Sequence, residues 1–123
     1  MPIKSTLVLL LYLLVVVPVA GLAQSPKVDG EYFVELTLPL GDQNFTMVID
    51  QKGNALSGHM VNEFGQFDLT GAVDRDQVKL EWSFPDGGKL LHVTFSGKLT
   101  RDGMTGRAKV ESLGEGPMEV RRK

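Results

Sequence analysis

The chain is predicted to be all-β: a single-domain, eight-stranded antiparallel up-and-down β-barrel after an N-terminal signal peptide. Three observations predict it. First, one phrase recurs four times: an apolar residue, Ser or Thr, Gly, any residue, then a second apolar residue. It reads Leu56-Ser57-Gly58-His59-Met60, Leu69-Thr70-Gly71-Ala72-Val73, Phe95-Ser96-Gly97-Lys98-Leu99 and Met104-Thr105-Gly106-Arg107-Ala108. Each copy alternates with period two, so it reads as a strand with its glycine on the apolar face. Second, short alternating runs separated by turn residues continue from Gly30 to the C-terminus. Third, no stretch after Gly30 keeps an apolar repeat of helical period.

The first element is not part of the fold. Lys4 gives a basic start, Leu7 to Val17 is an unbroken apolar run, and Pro18 ends it. Gly21-Leu22-Ala23 then supplies the small residues that a signal peptidase reads. Cleavage is expected after Ala23. The alternative is an uncleaved anchor, for which the run is short of the roughly 20 residues that span a bilayer. No cysteine stands at the cleavage site, so a bacterial lipoprotein anchor is excluded. Either way the rest of the chain is expected to be secreted or periplasmic. The expected organisation is a signal peptide over 1–23, an extension over 24–29 and the barrel over 30–123.

Strands are predicted over 31–38, 44–51, 55–62, 66–74, 77–84, 90–100, 104–111 and 117–122. Parity puts Tyr32, Met47, Leu69, Trp82, Phe95 and Met118 on one face with the repeated glycines. The other face is mostly Ser, Thr, His and charged residues, so one side of the sheet is dry and the other wet. Eight closed strands leave an interior that side chains fill, or that holds one small ligand. The inward Gly58, Gly71, Gly97 and Gly106 fit either case. They let strands coil sharply and make room for Trp82 and Phe95, or they leave a cavity for an apolar ligand.

Composition narrows the function. There is no cysteine, so burial and a closed hydrogen-bond network must hold the domain without disulfides. The formal net charge is −2, from 13 Lys and Arg against 15 Asp and Glu. That balance excludes nucleic acid as the main partner. Asn44-Phe45-Thr46 fits the N-glycosylation pattern, which matters only in a eukaryotic host. Lys52-Gly53-Asn54, Asp74-Arg75-Asp76 and Asp102-Gly103 read as hairpin turns. Asp86-Gly87-Gly88 joins two strands and opens no helix, so it is no phosphate loop. His59 and His92 face outward on strands that are not neighbours. None of Ser57, Thr70, Ser96 and Thr105 is expected beside both a histidine and a carboxylate. No cofactor, metal site or catalytic residue is expected.

Gly30-Glu31-Tyr32 at the start of the first strand is similar to the Gly-x-Trp of the calycin type of barrel, with Tyr in place of Trp. That group includes lipocalins, avidins and some bacterial protease inhibitors. The resemblance implies an Arg from the last strand packed across the ring, and Arg122 has the inward parity for it, while Arg121 points outward. The Ser/Thr-Gly phrase also resembles uncharacterised glycine-patterned β domains of secreted bacterial proteins. Neither resemblance carries a function, because such shapes host carriers, inhibitors and enzymes alike.

Two surfaces are the candidate binding sites. The odd-numbered connections gather at one barrel end, are expected to be the longer ones, and bring Leu40, Phe64, Asp86 and Leu113 together. They either plug the barrel or bind a partner. On the outer wall, Phe33, Val48 and Val61 face solvent beside acidic residues, whereas Lys79, Lys98, Arg107, Lys109 and Arg121 make the opposite half basic. The expected function is a non-enzymatic binding module recognising a protein partner, with an inhibitor of an extracellular enzyme as one version; a homo-oligomer would use the same surfaces. The alternatives are a carrier of a small apolar ligand inside the barrel, and a minor hydrolase or isomerase with a rim site. Membrane contact is expected only through an uncleaved signal segment.

Overall fold

The computed structural model describes residues 26–123. The expected signal peptide lies outside them. Alternation of apolar and polar residues produces eight strands: β1 (Gly30–Leu38), β2 (Gly41–Lys52), β3 (Ala55–Asn62), β4 (Gly65–Asp74), β5 (Gln77–Asp86), β6 (Lys89–Thr100), β7 (Gly103–Val110) and β8 (Gly114–Arg122). Each pairs antiparallel with its chain neighbour, and β8 pairs with β1 to close the barrel. No helix among the described residues is long and apolar enough to cross a membrane.

Strand β2 starts at Gly41 and β8 at Gly114, each three residues earlier than the apolar pattern predicts. Asp42, Gln43 and Asn44 carry no apolar alternation, yet they complete the ladder with Thr37, Leu36 and Glu35. Pairing by backbone is blind to side-chain type, so the ladder outruns the pattern.

Every apolar residue and glycine that parity places inward is buried or partly buried, Arg122 is exposed, and among the described residues no polar or charged side chain is buried. Phe45 meets Trp82 edge-on, with ring centroids 5.8 Å apart, near one end of the interior. Val28 closes the other end and is fully buried. Val28 is thus part of the core although it precedes β1, in the stretch the sequence pattern made an extension. Four side-chain bonds hold it: Gln51 Oε1 accepts from Val28 N at 2.7 Å, Gln51 Nε2 donates to Pro26 O at 2.7 Å, and Arg122 donates through Nη1 to Asp29 O at 2.9 Å and through Nη2 to Lys27 O at 3.0 Å. Tyr32 also donates its hydroxyl to Val28 O.

Arg122 lies 5.1 Å from the Tyr32 ring centroid, so its guanidinium stacks on the aromatic face while its fork serves two carbonyls. Gly30 makes this passage possible, since a Cβ there would stand 2.7 Å from Arg122 Nη1. Burial pushes the Tyr32 hydroxyl above its usual pKa, Arg122 opposes that shift, and Asp29 adds to it.

Candidate functional site

The repeated glycines face inward but line no void. A Cβ on Gly58 would stand 1.9 Å from Val48 O, and one on Gly71 would stand 2.1 Å from Lys79 O. On Gly106 it would stand 2.2 Å from Ser96 O, and on Gly97 2.3 Å from the Phe95 ring. Adjacent strands therefore cross where a side chain would sit, which is how a narrow barrel coils without a gap. The interior retains a cavity of about 20 Å³ between Leu36, Phe45, Met60, Trp82, Phe84 and Val93. That is room for about one water.

The odd-numbered connections share one barrel end, here called the mouth, and three of the four are no longer than the others. Those at 39–40, 63–64 and 87–88 have two residues, like 53–54, 75–76 and 101–102 opposite. Only 111–113 has three. The sequence does specify tight turns: Pro39 precedes Leu40 and Gly41 follows, and the Asn62 side chain accepts from Phe64 N at 2.8 Å. Tight turns cannot fold over the barrel, so their tips project. Leu40 is 84% and Phe64 81% exposed, and Leu90, early on β6, is 67% exposed. Leu113 behaves otherwise and packs against the core. Asp86 is the last residue of β5 rather than a loop residue. Asp42, Glu63, Glu111 and Glu115 lie in or beside the same connections, together with Lys89 and with Lys109, which pairs with Glu115.

The outer wall is less of a patch than parity implies. Val48 and Val61 are half-buried, and Phe33 is 49% exposed with the Lys123 ammonium 5.3 Å from its ring. Phe33 and Val61 both pair with Thr46, which separates them, and Val48 sits diagonally below. The basic half is partly neutralised: Lys98 meets Asp76 at 3.5 Å, and Arg107 meets Glu115 at 4.0 Å.

One constellation escapes sequence reasoning. Ser83 Oγ lies 3.1 Å from His92 Nδ1, and His92 Nε2 lies 3.4 Å from Glu81 Oε2. Thr70, paired with Glu81, borders the same open cleft of about 520 Å³, with Gln66, Phe67, Asp68, Trp82 and Leu90. A hydroxyl, a histidine and a carboxylate therefore do share a patch, contrary to the sequence expectation for Thr70. The signal was the register, which parity alone does not supply. Glu111 N donates to His92 O, so the His92 backbone faces β7 and Ser83–His92 is the non-hydrogen-bonded kind of pair, whose side chains approach most closely. Ladder geometry thus accounts for the row. The side chains of His92 and Glu81 are about half exposed, and Glu81 pairs with Thr70 across the β4–β5 ladder. Among the described residues no cluster of His, Asp and Glu could hold a metal ion.

No protein-family model, curated protein or solved structure matches the chain.

Proposed function

We propose that this chain is a non-enzymatic binding module that works outside the cytoplasm and recognises a protein partner through the mouth of its barrel. One observation carries the reading. Leu40, Phe64 and Leu90 are the most exposed large apolar side chains of the described residues, and all three stand at one end among acidic groups. An apolar cluster with a polar rim is the usual anatomy of a docking patch. Two-residue turns hold the tips rigid, so little freedom is lost on binding. A stiff, projecting apolar tip also suits the inhibitor version, in which Phe64 or Leu40 enters an enzyme cleft. The filled interior gives the carrier reading little support.

The test is site-specific photo-crosslinking in the protein's own host. A photoreactive residue at position 64 should trap one discrete protein, and Leu40→Ser should weaken that capture. The same residue at position 33 should trap nothing comparable. Equal capture from both positions, or none from 64, would refute the reading.

A further inference from the structure

The barrel is closed, but some seams stop short of the mouth, as β8–β1 does at Leu36↔Met118, and the β4–β5 seam is another. The pairing of β4 with β5 ends at Leu69↔Trp82, although β4 extends back to Gly65 and β5 on to Asp86. On their other sides both stretches stay paired, β4 with β3 and β5 with β6. The cause is in the sequence. Continuing the register places Pro85 opposite Gln66. Asp74 and Gln77 flank a two-residue turn, so theirs is a hydrogen-bonded pair, and every second pair from there repeats the pattern. The backbone groups of Gln66 and Asp68 on β4, and of Ser83 and Pro85 on β5, therefore face the seam. Pro85 has no N–H, so the Gln66 carbonyl has no donor opposite it and the ladder cannot continue through that pair; it ends earlier still, at Leu69↔Trp82. The Asp68 N–H is likewise left without a ladder partner, since Asp68 and Ser83 form no pair. Proline at this position harms nothing on the β6 side, because its nitrogen faces away from Leu90.

We infer that this seam is a strand-acceptor site, and that the partner enters it as an extended segment pairing with the β4 edge at Gln66 and Asp68. The inference rests on the mouth being the binding end and adds the mode and chemistry of recognition. Unpaired main-chain donors and acceptors in β conformation are what strand addition uses. The cleft over the seam defines the side chains the segment must carry. Leu90, Phe67 and the edge of Trp82 offer apolar contact, while Asp68 and Glu81 are its acids, and no Lys or Arg lines it. The segment is therefore one that alternates apolar and basic residues, so that one set meets Leu90 and Phe67 and the other meets the carboxylates.

The experiment uses the isotope-labelled chain and two probe nonapeptides, one alternating Val and Lys, the other Val and Glu. Without peptide the Asp68 amide should exchange with solvent far faster than that of Thr70. The Val-Lys peptide should shift and protect the Asp68 and Gln66 amides, and the Val-Glu peptide should not. Pro85→Val restores the missing N–H and lets the seam zip. It should protect the Asp68 amide in the free protein, raise the urea midpoint, and weaken the Val-Lys peptide at least tenfold. Protection of Asp68 in the free wild-type chain, or no response of its amide to the Val-Lys peptide, would overturn the inference. Shifts confined to Leu40 and Phe64 would overturn strand addition while leaving the mouth as the binding end. Failure of crosslinking at position 64 would remove the mouth itself.

Discussion

Substituting Gly106 by Ala puts a methyl group where the barrel wall already has backbone. The new Cβ would stand 2.2 Å from Ser96 O and 2.4 Å from Gly97 Cα. Relief requires β6 and β7 to separate by roughly 1 Å, and both are held by the pairing that runs from Val93↔Val110 to Thr100↔Gly103. Overpacking costs about 1–3 kcal/mol, and immovable backbone belongs at the upper end. Alanine also narrows the unfolded ensemble, which returns about 0.4–1 kcal/mol. A net loss of about 2 kcal/mol follows, from a total stability of about 5–15 kcal/mol for a domain this size. In a scan it lowers Tm by about 8–16 °C. Urea unfolding should show a lower midpoint at unchanged slope. Gly97→Ala should cost less, because its tightest contact is the far end of the Phe95 ring and its nearest backbone atom, Thr105 O, is 2.8 Å away. The carrier reading makes the opposite prediction, since a methyl group pointing into a void meets nothing. A Gly106→Ala variant within 0.5 kcal/mol of wild type would refute the close-approach argument and reopen that reading.

Arg122→Ala removes two charged hydrogen bonds and the stack on Tyr32, and should cost about 2 kcal/mol; Val28 should exchange its amide faster, and Arg122→Lys should not restore it because a single ammonium cannot fork to two carbonyls. Arg75 has a φ of 59° in its turn, a left-handed conformation that costs a side-chain-bearing residue about 1 kcal/mol, so Arg75→Gly should raise the urea midpoint. Tyr32 binds its proton more tightly folded than unfolded, so its contribution is fully present below pH about 10 and is lost as pH climbs through the raised folded value. Tyr32→Phe should flatten that alkaline decline while costing the bond to Val28; an equal decline in both proteins would assign it to other groups.

Much of the fold was legible because a barrel wall is a simple physical object. Alternation reports which side is dry, and Asn, Asp, Gly and Pro report where the chain reverses. Those signals reach only nearest neighbours in the chain. Val28 lies in a stretch without alternation, and its burial depends on Gln51 and Arg122, which are distant in sequence. The row of Ser83, His92 and Glu81 depends on which residues face each other across β5 and β6, and a one-residue shift would dissolve it. The lengths of the odd connections were misjudged for a related reason. Gly41, Asp42 and Gly114 look like turn residues, and the ladder captured them.

Pro85 shows how a local signal acquires a distant meaning. Inside a strand it reads only as a weak spot or an edge. In a closed barrel there is no edge, so a proline whose nitrogen faces a neighbour must open one. The β4–β5 junction does not pair past Leu69↔Trp82, and Pro85 bars it from pairing at Gln66. The cavity between Leu36, Phe45, Met60 and Trp82 has room for about one water. The backbone groups of Gln66 and Asp68, beside exposed Leu90, are then ones with which this molecule can still make bonds.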